Sequence, residues 1–294
     1  MRNALIFNSW SREGQLPRPS NGEGVAMRTV AVLGAGKMGQ AIVSGLLRAG
    51  WSGESVVATA RSAERAAELR EAYGIRVEPN AEAVRDADVV VVAVKPQDAG
   101  ALLEELTGAF EGGAPVVSIC AGLPVAFFEK RLPDETPVIR AMPNTPALVD
   151  EAMTVLSPGT HASEAHLAAV EELFTPLGRT LVVDEKHQDA VTAISGSGPA
   201  YFYYLAEAMT EAGVLMGLPR AIAKELVTQT SLGAARMLRE SGQSPVDLRE
   251  AVESPAGTTI SAVRQLENHR ARSAVTDAIE AARDRAREIA DEYA

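Results

Sequence analysis

The segment Val30-Ala31-Val32-Leu33-Gly34-Ala35-Gly36-Lys37-Met38-Gly39 constrains this chain more than any other. An apolar run with strand character ends in Gly-x-Gly-x-x-Gly, and a helix-like stretch, Gln40 to Ala49, follows. That order is the strand–turn–helix entry of a dinucleotide-binding fold. Gly34 permits the tight turn. Gly36 lets the backbone approach a pyrophosphate, and Gly39 lets the helix pack close to the strand. The bare N–H groups at the helix start can hold phosphate charge. A glycine-rich turn alone is a weak signal. Here a strand precedes it, a helix follows, and a second strand comes within one βαβ length.

From about residue 29 to 140, apolar β-runs alternate with helical stretches. The spacing predicts strands over Thr29–Leu33, Ser55–Ala60, Arg76–Val77, Val89–Val94, Val116–Ile119 and Val138–Ile139. Helices rich in Ala, Glu, Leu and Arg lie between them, such as Ala63–Ala72 and Ala99–Ala109. The run from Val89 to Val94 is apolar on both faces, as a central parallel strand must be. A further strand–helix–strand unit (Met153–Leu156, His166–Leu177, Thr180–Val183) extends the pattern. This is the signature of a doubly wound α/β sheet.

After Asp184 the pattern changes, and no strand signal occurs from His187 onward. Helices are expected over Gln188–Leu215, Arg220–Ser241, Pro245–Glu253, Thr259–Asn268 and Ala271–Glu292, broken at Gly217-Leu218-Pro219 and Ser241-Gly242-Gln243. The expected organisation is a Rossmann-type domain over 27–185 and an all-helical domain over 186–294. Residues 1–26 are polar and irregular and read as a disordered extension. A helical domain this small, with long apolar faces, buries little of its own surface, so self-association is expected.

Composition narrows the function. The 294 residues are 46% hydrophobic, enough for a full core, and carry a formal charge of −11. Such a surface neither neutralises nucleic-acid phosphates nor attracts anionic membranes. An anionic substrate would need local positive potential from a helix terminus or a few arginines. No apolar run approaches the roughly 20 residues of a membrane span, and residues 1–26 lack the order of a secretory signal. A cytoplasmic protein is expected. The single cysteine, Cys120, sits in an apolar run and reads as a buried structural thiol. The four histidines, His161, His166, His187 and His269, have no metal-ligand spacing, so no metal is expected.

Several short motifs carry candidate chemistry. NADH-specific folds place an acid at the end of the second strand, about 20 residues past the glycines, to bond the ribose hydroxyls. This chain has Thr59-Ala60-Arg61-Ser62 there, and no acid before Glu64. A cation and a hydroxyl suit a 2′-phosphate, which favours NADPH over NADH; alternatively Arg61 is a solvated first-turn residue and Ser62 an N-cap. Val94-Lys95-Pro96 ends the fourth strand, on the edge where such sheets bind ligands; Lys95 is also readable as an exposed loop lysine. Cys120-Ala121-Gly122 ends the fifth strand with small residues that either admit a nicotinamide ribose or close a turn. In Met142-Pro143-Asn144-Thr145-Pro146 two prolines fix the backbone, either to present Asn144 or as a rigid turn. Ser195-Gly196-Ser197-Gly198-Pro199 has the wrong register for a hydrolase elbow. Close packing of a neighbouring helix on its glycines is expected, with a kink at Pro199. Finally, Ser254-Pro255-Ala256-Gly257-Thr258-Thr259 precedes a helix. Three hydroxyls and a glycine at a helix N-terminus make a carboxylate site, whereas ordinary capping wants one hydroxyl.

Taken together these motifs resemble one family, the pyrroline-5-carboxylate reductases. The likeness runs from about Met27 to Glu288 and rests on Gly-Ala-Gly-Lys-Met-Gly (34–39), Ala-Val-Lys-Pro (93–96), Arg-Ala-Met-Pro-Asn-Thr-Pro (140–146), Ser-Gly-Ser-Gly-Pro-Ala-Tyr (195–201), Gly-Leu-Pro-Arg (217–220) and Ser-Pro-Ala-Gly-Thr-Thr (254–259). The family usually has glycine where Ala256 stands. The resemblance implies NAD(P)H-dependent reduction of the cyclic imine 1-pyrroline-5-carboxylate to L-proline. It implies cofactor contacts at Gly34, Gly36, Lys37, Met38 and Gly39, at Arg61 and Ser62, and at Asn80, Val94, Lys95, Ala121, Gly122 and Asn144. It puts the substrate carboxylate at Ser254, Gly257, Thr258 and Thr259, with Thr259 nearest the chemistry. It further implies a homodimer of interlocked helical domains, often built into a decamer, with the substrate loop supplied by the partner chain.

Two other readings compete. A β-hydroxyacid dehydrogenase needs a lysine on the first long helix of its helical domain, and none occurs between Lys186 and Lys224. A non-catalytic NADPH sensor would keep 34–39 and 59–62 but has no need for the hydroxyl loop.

Overall fold

Four consecutive valines at 89–92 can be buried on both faces only at the centre of a covered parallel sheet, and the sheet is built around them. A computed structural model describes residues 29–110 and 113–293; the expected disordered extension, 1–26, lies outside the described residues. In chain order the sheet domain contains β1 (Val30–Leu33), α1 (Lys37–Arg48), β2 (Val56–Ala58), α2 (Ala63–Tyr73), β3 (Arg76–Val77), α3 (Asn80–Arg85), β4 (Val89–Val92), α4 (Pro96–Glu105), β5 (Val116–Ser118), α5 (Val125–Glu129), β6 (Val138–Met142), β7 (Ala152–Pro158), α6 (Glu164–Phe174) and β8 (Gly178–Val182). The helical part contains α7 (Gln188–Val191), α8 (Gly198–Leu215), α9 (Arg220–Glu240), α10 (Pro245–Glu250), α11 (Thr258–Asn268) and α12 (Ala271–Tyr293).

The eight strands lie in the order β3-β2-β1-β4-β5-β6-β7-β8. Neighbours are parallel except β6 and β7, which are antiparallel. Alternation along the strands sorts the core into two layers. Val30, Val32, Val89 and Val91 pack with Ile42, Leu46 and Phe174 on one face. Ala31, Leu33, Val90 and Val92 pack with Leu103, Leu123 and Phe128 on the other.

β6 is longer than the sequence predicts, reaching Met142 rather than stopping at Ile139. Arg140 lies inside it, only 5% exposed. A buried guanidinium needs a counter-charge. Glu185 supplies one at 3.2 Å and also accepts the Val125 backbone N–H at 2.7 Å. The partner lies 45 residues downstream, so no local pattern marks this arginine as a strand residue.

The helix expected over 188–215 is divided. A π-helical turn over Thr192–Gly196 separates α7 from α8. The irregularity therefore precedes Pro199, which occupies the first turn of α8, where its missing N–H costs nothing. A neighbouring helix, α12, does pack against the π turn. A Cβ on Gly196 would stand 2.6 Å from the Met142 methyl carbon, a side chain of the sheet, whereas a Cβ on the buried Gly198 would meet nothing within 4 Å.

Beyond the π turn, α8 and α9 pack on each other closely enough that a Cβ on Gly213 would lie 2.9 Å from that of Ala223. α11 packs on α12, and α12 returns to the sheet domain, where Ile289 covers Gly122. Much of the remaining helical surface is apolar and open: Phe202, Tyr203, Tyr204, Leu205, Leu215 and Met216 are all exposed. Among the described residues no helix is long and apolar enough to cross a membrane.

Candidate active site

A cleft of about 520 Å³ opens along the carboxyl ends of β1, β2 and β4. The chain just past the strand ends forms its wall. β2 and β4 were expected to reach Ala60 and Val94 but end at Ala58 and Val92; the Thr59 and Ala93 N–H groups still bond the Val32 and Leu33 carbonyls, and Thr59, Ala60, Ala93 and Val94 line the cleft. Gly34 has φ +98, a conformation glycine adopts without strain. A Cβ there would stand 2.8 Å from a Val94 methyl. The Thr59 hydroxyl accepts the Gly34 N–H at 3.1 Å and ties the turn to β2. A Cβ on Gly39 would lie 2.3 Å from the Gly34 carbonyl oxygen, so only glycine lets α1 approach so closely. Gly36 has nothing within 4 Å of that position and no side chain caps α1. The bare N-terminus of α1 therefore faces open space, and a pyrophosphate fits there.

Of the residues expected at the cofactor, Gly34, Gly36, Arg61, Asn80, Val94 and Lys95 line this cleft. Lys37 and Met38 begin α1 beside it, Lys37 exposed and Met38 half-buried. Ser62 is the N-cap of α2, its hydroxyl accepting the Arg65 N–H at 3.2 Å. Ala121 and Gly122 stand at the end of β5, joined to the cleft wall through Cys120, whose thiol lies 3.4 Å from the Val94 carbonyl oxygen. Burial pushes that thiol up to about 11, which leaves it protonated and unreactive at neutral pH. Asn144 has a different task. It is buried, its amide donating to the Ser195 carbonyl and accepting the Met153 N–H, both at 3.0 Å, so it joins the Pro143–Pro146 turn to β7 and the π turn.

Sequence reasoning did not single out Arg65, Asp98 or Glu105, which also line the cleft. Asp98, Ala101, Leu102 and Glu105 follow helical i, i+3, i+4, i+7 spacing on α4 and face it together. That spacing was readable in the sequence. Arg61 makes an ion pair with Asp98, and the Asn80 amide lies 3.1 Å from each carboxylate oxygen of Glu105.

The hydroxyl loop lies elsewhere. Gly257 is the N-cap of α11 and no side chain caps that helix. Thr258 and Thr259 are its first two residues, and Ser254, Ala256 and Thr258 are exposed. A Cβ on Gly257 would stand 2.3 Å from the Ser254 hydroxyl, which explains the glycine. Ala256 adopts φ +58, a left-handed conformation that strains any L side chain. None of these residues lines the cleft of its own chain. His161, His187 and His269 are exposed, and the His166 ring caps its own helix by accepting the Ser163 N–H. Among the described residues no group of His, Cys, Asp and Glu could hold a metal ion.

A doubly wound sheet with a bare phosphate turn, followed by helices with uncovered apolar faces, defines a two-domain dinucleotide-dependent oxidoreductase. Residues 29–122 match the family described as NADP oxidoreductase, coenzyme F420-dependent, and residues 185–289 match pyrroline-5-carboxylate reductase dimerisation. The chain is 43% identical over 267 residues to a pyrroline-5-carboxylate reductase of Corynebacterium melassecola, covering 90% of this chain and 99% of that one. It is 42% identical to that of Mycobacterium tuberculosis, over 90% and 97% of the two chains. The solved Coxiella burnetii enzyme superposes with a TM-score of 0.84 at 34% identity, covering 90% and 98%. The Plasmodium falciparum enzyme, solved with NADP bound, gives 0.83 at 30%, covering 91% and 100%. The chain belongs to the pyrroline-5-carboxylate reductase family, enzymes of proline biosynthesis with an NADP-binding domain and a helical dimerisation domain.

Proposed function

We propose that this chain reduces 1-pyrroline-5-carboxylate to L-proline at sites shared between two subunits, with NADPH preferred over NADH, in the cytoplasm. The observation that carries the shared site is the uncapped start of α11. It presents bare N–H groups and the Ser254, Thr258 and Thr259 hydroxyls, yet stands apart from the cleft of its own chain. A second copy brings such a loop to the nicotinamide end of the cleft.

A bound reduced nicotinamide supplies the hydride that adds to C5 of the imine. The chain's residues do the rest by binding and orientation. The α1 N-terminus and Gly36 hold the pyrophosphate, and Arg61 holds the 2′-phosphate. Ala121, half-buried after β5, leaves room for the nicotinamide ribose, whereas Gly122 beside it is buried beneath Ile289 of α12. On the partner's loop, the first N–H groups of α11 bind the substrate carboxylate, a local positive end in a chain of charge −11. The Thr259 hydroxyl bonds the ring nitrogen. Its own pKa is far too high for an acid, so it holds the protonated imine in line with the hydride rather than protonating it.

Subunit complementation tests the shared site. Gly36→Asp puts a side chain and a negative charge where the pyrophosphate binds. Ser254→Ala with Thr259→Ala strips the loop. Each homodimer should be nearly inactive. An equal mixture, dissociated and reassembled, should regain about a quarter of wild-type activity, because half the dimers are hybrids with one intact site in two. No recovery in hybrids proven to form would refute the sharing. The decamer is a separate expectation: light scattering should find ten times the 31.0 kDa of one chain rather than twice.

A further inference from the structure

The adenosine end of the cleft holds an arrangement that cofactor binding alone does not require. Arg61 follows β2, and Asp98 lies in the first turn of α4 on the opposite wall, 37 residues away. The two form an ion pair across the opening, although the Arg61 side chain is 76% exposed. Two helical turns further along the same face of α4, Glu105 engages Asn80 through both carboxylate oxygens at 3.1 Å. Thus two side chains expected to read the nucleotide are each held by a carboxylate of one helix.

We propose that Asp98 is a cofactor-specificity residue: it competes with the 2′-phosphate of NADPH for Arg61 and so lowers the preference for NADPH over NADH. The proposal rests on the reading that Arg61 takes that phosphate. A phosphate monoester carries about −1.5 to −2 charge at neutral pH. To reach the Arg61 guanidinium it must displace or share Asp98, and it then stands beside a like charge. NADH has a hydroxyl at this position and meets no such repulsion. A carboxylate is also the group that bonds a ribose diol in NADH-using folds, where it sits at the end of the second strand. Here the end of β2 carries a cation, and among the described residues the carboxylate bonded to it comes from α4. The acid therefore works against the arginine, and the chain keeps access to both cofactors.

The alternative is that Asp98 only stabilises the N-terminus of α4. That role would alter the binding of both cofactors alike, so the ratio of the two dissociation constants separates the readings. NADPH and NADH are titrated by fluorescence against wild type, Asp98→Asn, Asp98→Glu, Arg61→Ala and the Asp98→Asn/Arg61→Ala double variant. Asp98→Asn should raise Kd(NADH)/Kd(NADPH) about tenfold at low salt, and less at high salt, where exposed charges are screened. Asp98→Glu should stay near wild type. Arg61→Ala should lower the ratio, and in its background the Asp98→Asn gain should shrink. If Asp98→Asn leaves the ratio within about twofold while Arg61→Ala still lowers it, the role of Asp98 falls and that of Arg61 survives. If Arg61→Ala leaves the ratio unaltered, the phosphate reading fails and the proposal with it.

Discussion

Phe128 and Tyr204 are both large aromatic side chains, yet the first is fully buried while the second is 76% exposed. The contrast holds across the two halves of the molecule. In the sheet domain α1, α6, α4 and α5 close both faces, and Ile42, Leu46, Leu103 and Phe174 are sealed within one chain. In the helical domain α8 and α9 meet each other but leave Phe202, Tyr203 and Leu215 open, the last 89% exposed. Each such side chain left in water forgoes roughly 1.5–3 kcal/mol of burial. The first half can complete its core alone, whereas the second half takes part of its core from another copy. The candidate site divides in the same way: the cleft is formed within one chain, and the hydroxyl loop at the start of α11 lines no part of it.

The largest effect should come from charging the open face. Phe202→Asp should prevent dimerisation and lower activity at least about a hundredfold, since a buried unpaired charge costs several kcal/mol. Sedimentation would report a 31 kDa particle. A dimer that persists with full activity would show that α8 is not at the interface. Next, Thr259→Ala should lower kcat/KM for the imine roughly 5- to 150-fold while NADPH binding stays near normal. A fall in kcat would mark a bond made in the transition state, and a rise in KM one made in the ground state. An unimpaired Thr259→Ala enzyme would remove the α11 loop from the chemistry.

Within the sheet domain, Glu185→Ala should cost about 2–4 kcal/mol. It strands the Arg140 charge and leaves the Val125 N–H without its acceptor. The value lies below that for a wholly buried pair because the Glu185 side chain is about a third exposed. Denaturant unfolding that does not register the change would mean that Arg140 finds other partners. The smallest effect should be favourable. Ala256→Gly relieves the left-handed strain and should stabilise by up to about 1 kcal/mol. A lower unfolding midpoint would contradict that conformation.

Most of the architecture was legible because it rests on local periodicity. The alternation at 30–33 and 89–92 sorts side chains onto two faces whatever the rest of the chain does, and the glycines at 34, 36 and 39 admit few other turns. The cleft-lining residues Gly34, Gly36, Arg61, Asn80, Val94 and Lys95 could be named in advance for the same reason, as they follow strand ends. Other features depended on partners distant in sequence. Arg140 reads as a strand terminator until Glu185 arrives, 45 residues later. Asn144 reads either as a presented side chain or as part of a rigid turn until β7 and the π turn take both ends of its amide. The acids of α4 share one helical face by their spacing, but nothing local pairs them with Arg61 and Asn80, which β2 and α3 bring against them.

The sequence by itself determined the doubly wound sheet, the glycine turn and the change to helices after Asp184, because each is written in short local spacings, and the family, because six short motifs between 34 and 259 occur together. Only the tertiary structure decided the direction of β7, the break before Pro199, and which cations in the cleft meet carboxylates. Those outcomes depend on which segments meet in space, and a pairwise electrostatic or packing energy has no value until the two groups are brought together.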